Sequence, residues 1–226
     1  APRAPSRRGR SLIWPAVALL IAAAGGLAAL VTYSQRPADA PQVHKTFVAL
    51  RPDGSAIRFP ALSPDGRRIV YAARSRLWVQ ALDEWEPREL AGTEGGVRPF
   101  WSPASDWIGF FRNEQLLKIP AAGGPVVSIA TLPAVQAPLF SSSAVWSDEG
   151  TIFLSQAAGP QIYRVPGGGG ELKEHYTLPE ATGFDVHDLA PLPGGGLVMA
   201  VHRADGVGAL AVLADGNLTI VLEASN

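Results

Sequence analysis

Short apolar runs alternate with polar turns along residues 47–226, and the alternation repeats. The turns centred on Gly66, Ser105, Gly150 and Gly195 are spaced by 39, 45 and 45 residues. Each turn follows a bulky apolar residue and precedes an apolar run: RRIVYAA, DWIGFF, TIFLS and LVMAV. A second run follows in the first three units, while the fourth, ALAVLADGNLTIVL, predicts two strands around a hairpin turn. The pattern therefore predicts a series of small sheets.

The residues of the first turn have local physical roles. In Ser63–Pro64–Asp65–Gly66, Pro64 fixes φ at the first corner, Asp65 can bond back to the chain, and Gly66 supplies a positive φ. The strands that follow are apolar on both faces, so each sheet is expected to be covered on both sides. Sheets repeated in this way predict the blades of a β-propeller. The alternative is a β-sandwich, which does not require turn and strands to recur in register.

The units ALSPDGRRIVYAA…LWVQAL and PFWSPASDWIGFF…LLKIPAAGGPVVSIA resemble the WD-type repeats of TolB-like propellers. More narrowly, they are similar to the propeller that bacterial transmembrane serine/threonine protein kinases carry outside the membrane. The resemblance covers residues 47–226 and implies an all-β β-propeller. Ala104–Ser105 stands where the motif has Asp–Gly. About four units are present, whereas relatives usually close with six or more, so we expect an incomplete ring or an unusually small propeller.

A membrane anchor is predicted before the repeats. Residues 12–31 carry no charge, and a helix of that length would span about 30 Å, the hydrocarbon thickness of a bilayer. Four arginines precede it, so the positive-inside rule predicts a cytoplasmic N-terminus and an extracytoplasmic propeller in a single-pass cell-membrane protein. The expected segments are a basic cytoplasmic flank at 1–10, a transmembrane helix at 11–33, a linker at 34–46 and the propeller at 47–226.

Two other interpretations of the apolar segment are less favoured. ADA at residues 38–40 resembles a signal-peptidase site, but the apolar run exceeds a normal signal peptide and Pro41 would follow the cut. A buried core helix would normally show a polar stripe, which is missing here. Ala18, Ala22 and Gly26 are spaced by four, and small residues at this spacing let membrane helices pair closely. Homodimerisation through this face is a hypothesis.

Composition and charge narrow the functional classes. The chain lacks cysteine, which excludes disulfides, thiolate nucleophiles and cysteine-ligated metals. From residue 37 onward, 14 basic residues stand against 20 acidic ones, so the domain lacks the basic surface typical of a nucleic acid partner. The 24 glycines and 20 prolines fit a folded chain with many turns.

No catalytic motif of a kinase, a P-loop enzyme or a serine hydrolase is found, so we predict no catalytic residue and no cofactor. The stretch FDVHDL places Asp185, His187 and Asp188 within four residues. Asp185 and His187 share a strand face, but two ligands do not make a closed metal site, so a structural role is expected and no metal site is predicted. Trp85, in the turn DEWEP, is a candidate contact point for a partner.

The sequence thus predicts a non-catalytic, membrane-anchored, extracytoplasmic β-propeller that binds a protein, a peptide or a cell-envelope component. The resemblance implies a sensing or scaffolding role as the outer part of a receptor-type serine/threonine kinase. Two alternatives stay open at this stage. One is the gating propeller of a prolyl-oligopeptidase-like serine peptidase, and the other is a free-standing TolB-like envelope interaction protein.

Overall fold

The computed structural model describes residues 55–134, 142–156, 159–179, 185–202 and 207–223. Within these ranges, the regular elements are β-strands that form four four-stranded sheets. Each sheet is an antiparallel meander of four consecutive strands. The sheets are the four blades of a β-propeller, which confirms the predicted all-β propeller fold.

The strands are as follows. Blade 1 contains β1 (Arg58–Leu62), β2 (Arg68–Ala73), β3 (Arg76–Ala81) and β4 (Arg88–Glu89). Blade 2 contains β5 (Val97–Trp101), β6 (Trp107–Arg112), β7 (Gln115–Pro120) and β8 (Val127–Thr131). Blade 3 contains β9 (Ser143–Trp146), β10 (Thr151–Ser155), β11 (Gln161–Pro166) and β12 (Lys173–Thr177). Blade 4 contains β13 (Asp185–Pro191), β14 (Leu197–His202), β15 (Gly208–Ala214) and β16 (Asn217–Glu223).

The turn between the first two strands is the same in every blade. The four residues that mark the sequence repeat all have a positive φ: Gly66 at 69°, Ser105 at 60°, Gly150 at 81° and Gly195 at 102°. In the first two blades the turn is also closed by a serine hydroxyl. Ser63 Oγ accepts the N–H of Arg68, and Ser102 Oγ accepts that of Trp107, both at 2.9 Å. The four turns predicted from the sequence therefore recur at the same place in the four blades.

Strand alternation directs apolar side chains to both faces of a blade, and the blades stack through these faces. Val70 and Leu77 of blade 1 pack with Ile108 and Phe110 of blade 2. The side chains that alternate with these along the strands of blade 2 point to its opposite face, where a second hydrophobic cluster joins blades 2 and 3. A third cluster joins blades 3 and 4. Burial of these side chains, each favourable by about 1.5–3 kcal/mol, holds consecutive blades together.

Aromatic residues at the ends of the first strands join neighbouring blades. The indole N–H of Trp101 donates to the carbonyl of Ala61 at 2.9 Å, and the guanidinium of Arg68 lies 5.1 Å from the centre of the indole. Trp146, in the equivalent place in blade 3, packs against Phe100 of blade 2 at 6.5 Å between ring centroids. Both tryptophans contribute to blade packing, as the repeat predicted.

Blades 1 and 4 stand at the two ends of the series, and each has one face turned away from its neighbour in the series. These two faces differ in burial. On blade 1 that face is buried, with Tyr71 and Trp78 at its centre. On blade 4 it includes the exposed leucines 210 and 222. Among the described residues, hydrophobic clusters join blades 1 and 2, 2 and 3, and 3 and 4, and none joins blade 4 to blade 1.

The predicted membrane segment, its basic flank and its linker lie outside the described residues. A search of the part of the chain that the structure describes finds no helix with the length and apolar character needed to cross a membrane. The predicted anchor at residues 11–33, and the pairing face of Ala18, Ala22 and Gly26, therefore stay predictions.

Candidate functional site

Three of the four innermost strands contain an irregularity at a corresponding place. The pairing register shifts between Arg58 and Ala61 in β1, between Val97 and Phe100 in β5, and between His187 and Ala190 in β13. Inside each shift one residue other than glycine has a positive φ: Phe59 at 52°, Arg98 at 51° and Asp188 at 47°. Such a backbone costs about 1–3 kcal/mol per residue and is concentrated at functional sites.

The three irregular residues meet at one place, which we call the axial cluster (Phe59, Arg98 and Asp188). The guanidinium of Arg98 lies 4.7 Å from the centre of the Phe59 ring, and its Nη1 lies 3.5 Å from Asp188 Oδ1. These contacts join blades 1, 2 and 4. Blades 2 and 4 are not neighbours in the series, so a contact between them crosses the propeller axis.

The axial cluster is open to solvent. The side chain of Arg98 is 25% exposed and that of Asp188 is 74% exposed. An ion pair this accessible contributes little to the free energy of unfolding, roughly 0–1 kcal/mol. The ion pair is therefore too weak to offset the free-energy cost of the backbone strain at these three positions. Because strained residues are concentrated at functional sites, this accessible point on the axis is a candidate binding site.

A second group of polar side chains lies on blade 4, and we call it the His–Asp cluster (Asp185, His187 and His202). Strand β13 begins at Asp185 and β14 ends at His202, and these two residues are opposite each other in the ladder. His187 Nε2 lies 3.0 Å from Asp185 Oδ2, and His202 Nδ1 lies 3.4 Å from Asp185 Oδ1. The imidazole ring centroids are 4.8 Å apart.

The sequence placed Asp185 and His187 on one face of a strand, and the structure agrees. It did not predict His202, because the partner of Asp185 depends on the register between β13 and β14. Asp188, grouped with them in the sequence, instead pairs with Arg98 in the axial cluster. The only sequence signal for His202 was its position at the end of the apolar run LVMAV, the strand after FDVHDL.

Both clusters lie at the same end of the blades. Phe59 and Arg98 are near the starts of their inner strands, Asp185 is the first residue of β13, and the antiparallel β14 brings His202 to that same end. The charged, aromatic and histidine side chains of both clusters thus lie at the end of the blades where the inner strands begin. The turns that contain Gly66, Ser105, Gly150 and Gly195 occupy the other end.

Trp85 is not part of this arrangement. It lies in the connection between β3 and β4, at the end of blade 1 where the inner strand finishes. Its side chain is 78% exposed, and its carbonyl accepts a 3.4 Å hydrogen bond from the side chain of Gln80. The position suits a contact point, but the role of Trp85 in binding a partner stays a prediction.

Comparison with known proteins identifies the fold without selecting a function. No protein-family model and no curated protein matches the sequence. In contrast, 407 solved chains match the structure, so the fold is shared too widely to indicate an activity.

Three of the solved structures illustrate the likeness. A catalytically inactive virginiamycin B lyase from Staphylococcus aureus, solved with quinupristin, matches with a TM-score of 0.54 and 16% identity, over 76% of this chain and 57% of the lyase. The extracellular domain of BT4673, assigned as a hybrid two-component system of B. thetaiotaomicron, matches with a TM-score of 0.53 and 14% identity, over 75% of this chain and 22% of that domain. A protein assigned as TolB from Agrobacterium tumefaciens matches with a TM-score of 0.45 and 15% identity, over 75% of this chain and 82% of that protein.

These likenesses concern the fold. The predicted resemblance to the propellers of extracellular sensor domains is confirmed at that level. The chain spans little more than half of the lyase and less than a quarter of the sensor domain.

Proposed function

We propose that this chain is a membrane-anchored, extracytoplasmic binding module, and that its ligand docks on the axial cluster. The observation that supports the proposal is the coincidence of three strained, non-glycine residues from three blades at one accessible point on the axis. A cation, an anion and an aromatic ring lie side by side there. Such a set suits a polar ligand that carries charge, such as a peptide or a cell-envelope fragment.

The anchoring role rests on the sequence. The uncharged segment at residues 12–31 and the four arginines before it support a single membrane span with the propeller outside. In the arrangement we propose, the propeller is the outer, sensing part of a receptor-type serine/threonine kinase. The absence of catalytic residues, the peptidase-gate alternative and the free-standing envelope alternative all stay predictions.

Ligand docking is tested by binding of the purified chain to a synthetic peptide array. Arg98→Gly removes the central side chain and leaves a residue suited to the positive φ, so the fold should be retained. We expect Arg98→Gly and Asp188→Ala each to weaken the best peptide at least about tenfold, or about 1.4 kcal/mol. Asp215→Ala removes an exposed acid, also at a positive φ, from the last hairpin turn at the other end of blade 4; it is the matched control and should bind as the parent does. Equal binding by all three variants would refute docking at the axial cluster.

Membrane topology is tested separately, and the lack of cysteine makes the test simple. A single cysteine is introduced at the exposed Glu171 of blade 3 or at Ser6 in the basic flank. Intact cells are then treated with a maleimide that does not cross membranes. We expect Glu171→Cys to react from outside and Ser6→Cys to react only after permeabilisation. The reverse pattern would place the propeller in the cytoplasm.

A further inference from the structure

The His–Asp cluster brings together side chains that bind transition metals. Two imidazoles and one carboxylate, from β13 and β14, present ligand atoms that all lie within 4.8 Å of one another. Imidazole nitrogens favour zinc, copper, nickel and iron, whereas calcium and magnesium favour sites made of oxygen ligands. We propose that Asp185, His187 and His202 bind one divalent first-row transition metal ion, with Zn²⁺ as the representative. The proposal does not depend on the proposed ligand-binding function.

The distances suit such an ion. Zinc bonds to histidine nitrogen and carboxylate oxygen are about 2.0–2.2 Å long, so neighbouring ligand atoms in a tetrahedral site are about 3.3–3.5 Å apart. The separations here are 3.0 Å between His187 Nε2 and Asp185 Oδ2, and 3.4 Å between His202 Nδ1 and Asp185 Oδ1. All the ligand atoms lie within 4.8 Å of one another, so side-chain rotation would have to bring the widest pair closer. The backbone needs no change, because ladder pairing already fixes the three positions.

Hydrogen bonds within the cluster satisfy only one of the two carboxylate oxygens of Asp185. Asp185 Oδ2 is within hydrogen-bonding distance of His187, but Oδ1 is buried and has no hydrogen-bond partner among the described residues. His202 Nδ1 approaches Oδ1 at 3.4 Å, which is an ion-pair distance without hydrogen-bond geometry. A buried polar atom without a partner calls for an explanation, and an ion is one of the standard ones. A metal held by this oxygen and the two imidazoles would satisfy it.

The exposure of the three ligands indicates the kind of metal site. The side chains of Asp185 and His187 are 24% and 18% exposed, whereas that of His202 is 57% exposed. Structural zinc sites are closed by four protein ligands, while sites with three protein ligands keep a position for water or a bound molecule. The described residues supply three ligands here, and the side of His202 faces solvent. We therefore assign the exchangeable type, with an open position on that side.

Titration of the full chain in detergent with ZnCl₂, followed by calorimetry, tests the proposal. The parent should bind with a component that His202→Ala and Asp185→Asn each weaken at least about tenfold, since even residues that only support a ligand change metal affinity by about 10–100-fold. Two matched controls remove the same chemical groups elsewhere. They are His175→Asn in blade 3 and Asp215→Asn in the last hairpin turn, and both should bind as the parent does. Equal weakening by the controls, or none by the two ligand variants, would overturn the site.

Thermal unfolding separates loss of metal from loss of fold. Because His202 is largely exposed, His202→Ala should unfold at the temperature of the metal-free parent. Zn²⁺ should then raise the unfolding temperature of the parent and not that of His202→Ala. The reason is that an ion that binds the native state stabilises it by mass action. An equal rise in both proteins would contradict the assignment.

A third measurement needs no variant. Anomalous diffraction at the zinc edge, from crystals of the parent chain with zinc, should place an ion about 2.0–2.2 Å from the ligand atoms of the three residues. An ion located elsewhere, or no ion, would refute the proposal.

Discussion

At the residue scale, the close packing between strands restricts single positions sharply. Gly109 in β6 is opposite Phe100 in β5, and the phenyl ring occupies the space where a larger residue would place its β-carbon. A methyl group there would lie 2.2 Å from Phe100 Cζ. Phe100 in turn lies in the cluster between blades 2 and 3, so it cannot move without disturbing that interface.

Gly109→Ala is therefore expected to lower the free energy of unfolding by about 1–3 kcal/mol, the usual cost of overpacking. The matched control is Gly208→Ala in β15, where the added carbon would meet only His202 at an ordinary 3.7 Å. That change should be neutral, or stabilising by about 0.4–1 kcal/mol through the unfolded chain. Urea denaturation of both variants measures the difference. Equal costs would mean that Phe100 is free to move aside.

Asp65 gives a pH dependence to the first turn. The hydroxyl of Ser63 donates to Asp65 Oδ1 at 2.5 Å and the N–H of Arg67 donates to the same atom at 3.0 Å. The Ser63 hydrogen bond first, and then that of Arg67, hold the pKa of Asp65 below its ordinary value because they favour the charged form. A carboxyl group of this kind stabilises the fold above its unfolded pKa of about 3.9, and the contribution is lost as the pH falls through the lower, folded pKa.

Asp65→Asn should therefore be less stable than the parent at pH 7, and the difference should shrink as the pH falls below about 4. The side chain is partly exposed, so the effect is expected to be small. Urea midpoints measured across this pH range test the expectation. Asp215→Asn also removes one negative charge, so it is the control for the change in net charge. A difference between Asp65→Asn and the parent that is constant with pH would contradict the role of the ionised carboxylate.

At the scale of the element, local chemistry explains which parts of the fold could be predicted from sequence. The turns were predictable because proline, aspartate and glycine determine their own backbone over four residues. Ser105 shows that the blade repeat can override residue preference: it adopts φ 60° where the motif has glycine, and its hydroxyl accepts the N–H of Asp65 in blade 1 at 3.1 Å. The contact across the blades maintains a backbone that serine seldom adopts.

The candidate sites were less predictable for the opposite reason. Phe59 and Arg98 have no intrinsic preference for a positive φ, so nothing in their immediate sequence signals the irregular strands or the axial cluster. His202 joins Asp185 through the pairing of β13 with β14, and the register shift after His187 obscures that pairing in the sequence. Both sites depend on the meeting of residues from separate strands. The repeat pattern predicts the strands without their precise register.

Blade 4 offers a direct test of which strand face is covered. In β15, Leu210 is 42% exposed on the outward face, while the neighbouring Ala211 is fully buried against blade 3. Leu210→Asp should change the free energy of unfolding by no more than about 1 kcal/mol, whereas Ala211→Asp buries a charge and should cost at least about 3 kcal/mol. Chemical denaturation of the pair provides the comparison. If Leu210→Asp were equally costly, another part of the chain would cover this face in solution.

At the scale of the whole molecule, the blades form a series in which hydrophobic clusters connect neighbours. Within the described residues, such clusters hold blade 2 on both of its faces and blade 4 on one. In an architecture of stacked repeats, stability is approximately the sum of each repeat and its contacts with its neighbours. Blade 4 should then open more readily than blade 2, and a defect at one interface should act mainly on the blades beside it.

Met199 and Ile108 are fully buried at opposite ends of this series, the first between blades 3 and 4 and the second between blades 1 and 2. Truncation of either to alanine should cost about 2–5 kcal/mol by leaving a cavity. In hydrogen–deuterium exchange read by mass spectrometry, Met199→Ala should accelerate exchange in β13–β16 while β1–β8 keep their protection, and Ile108→Ala should do the reverse. If both variants instead accelerated all four blades equally, the propeller would unfold as one cooperative ring.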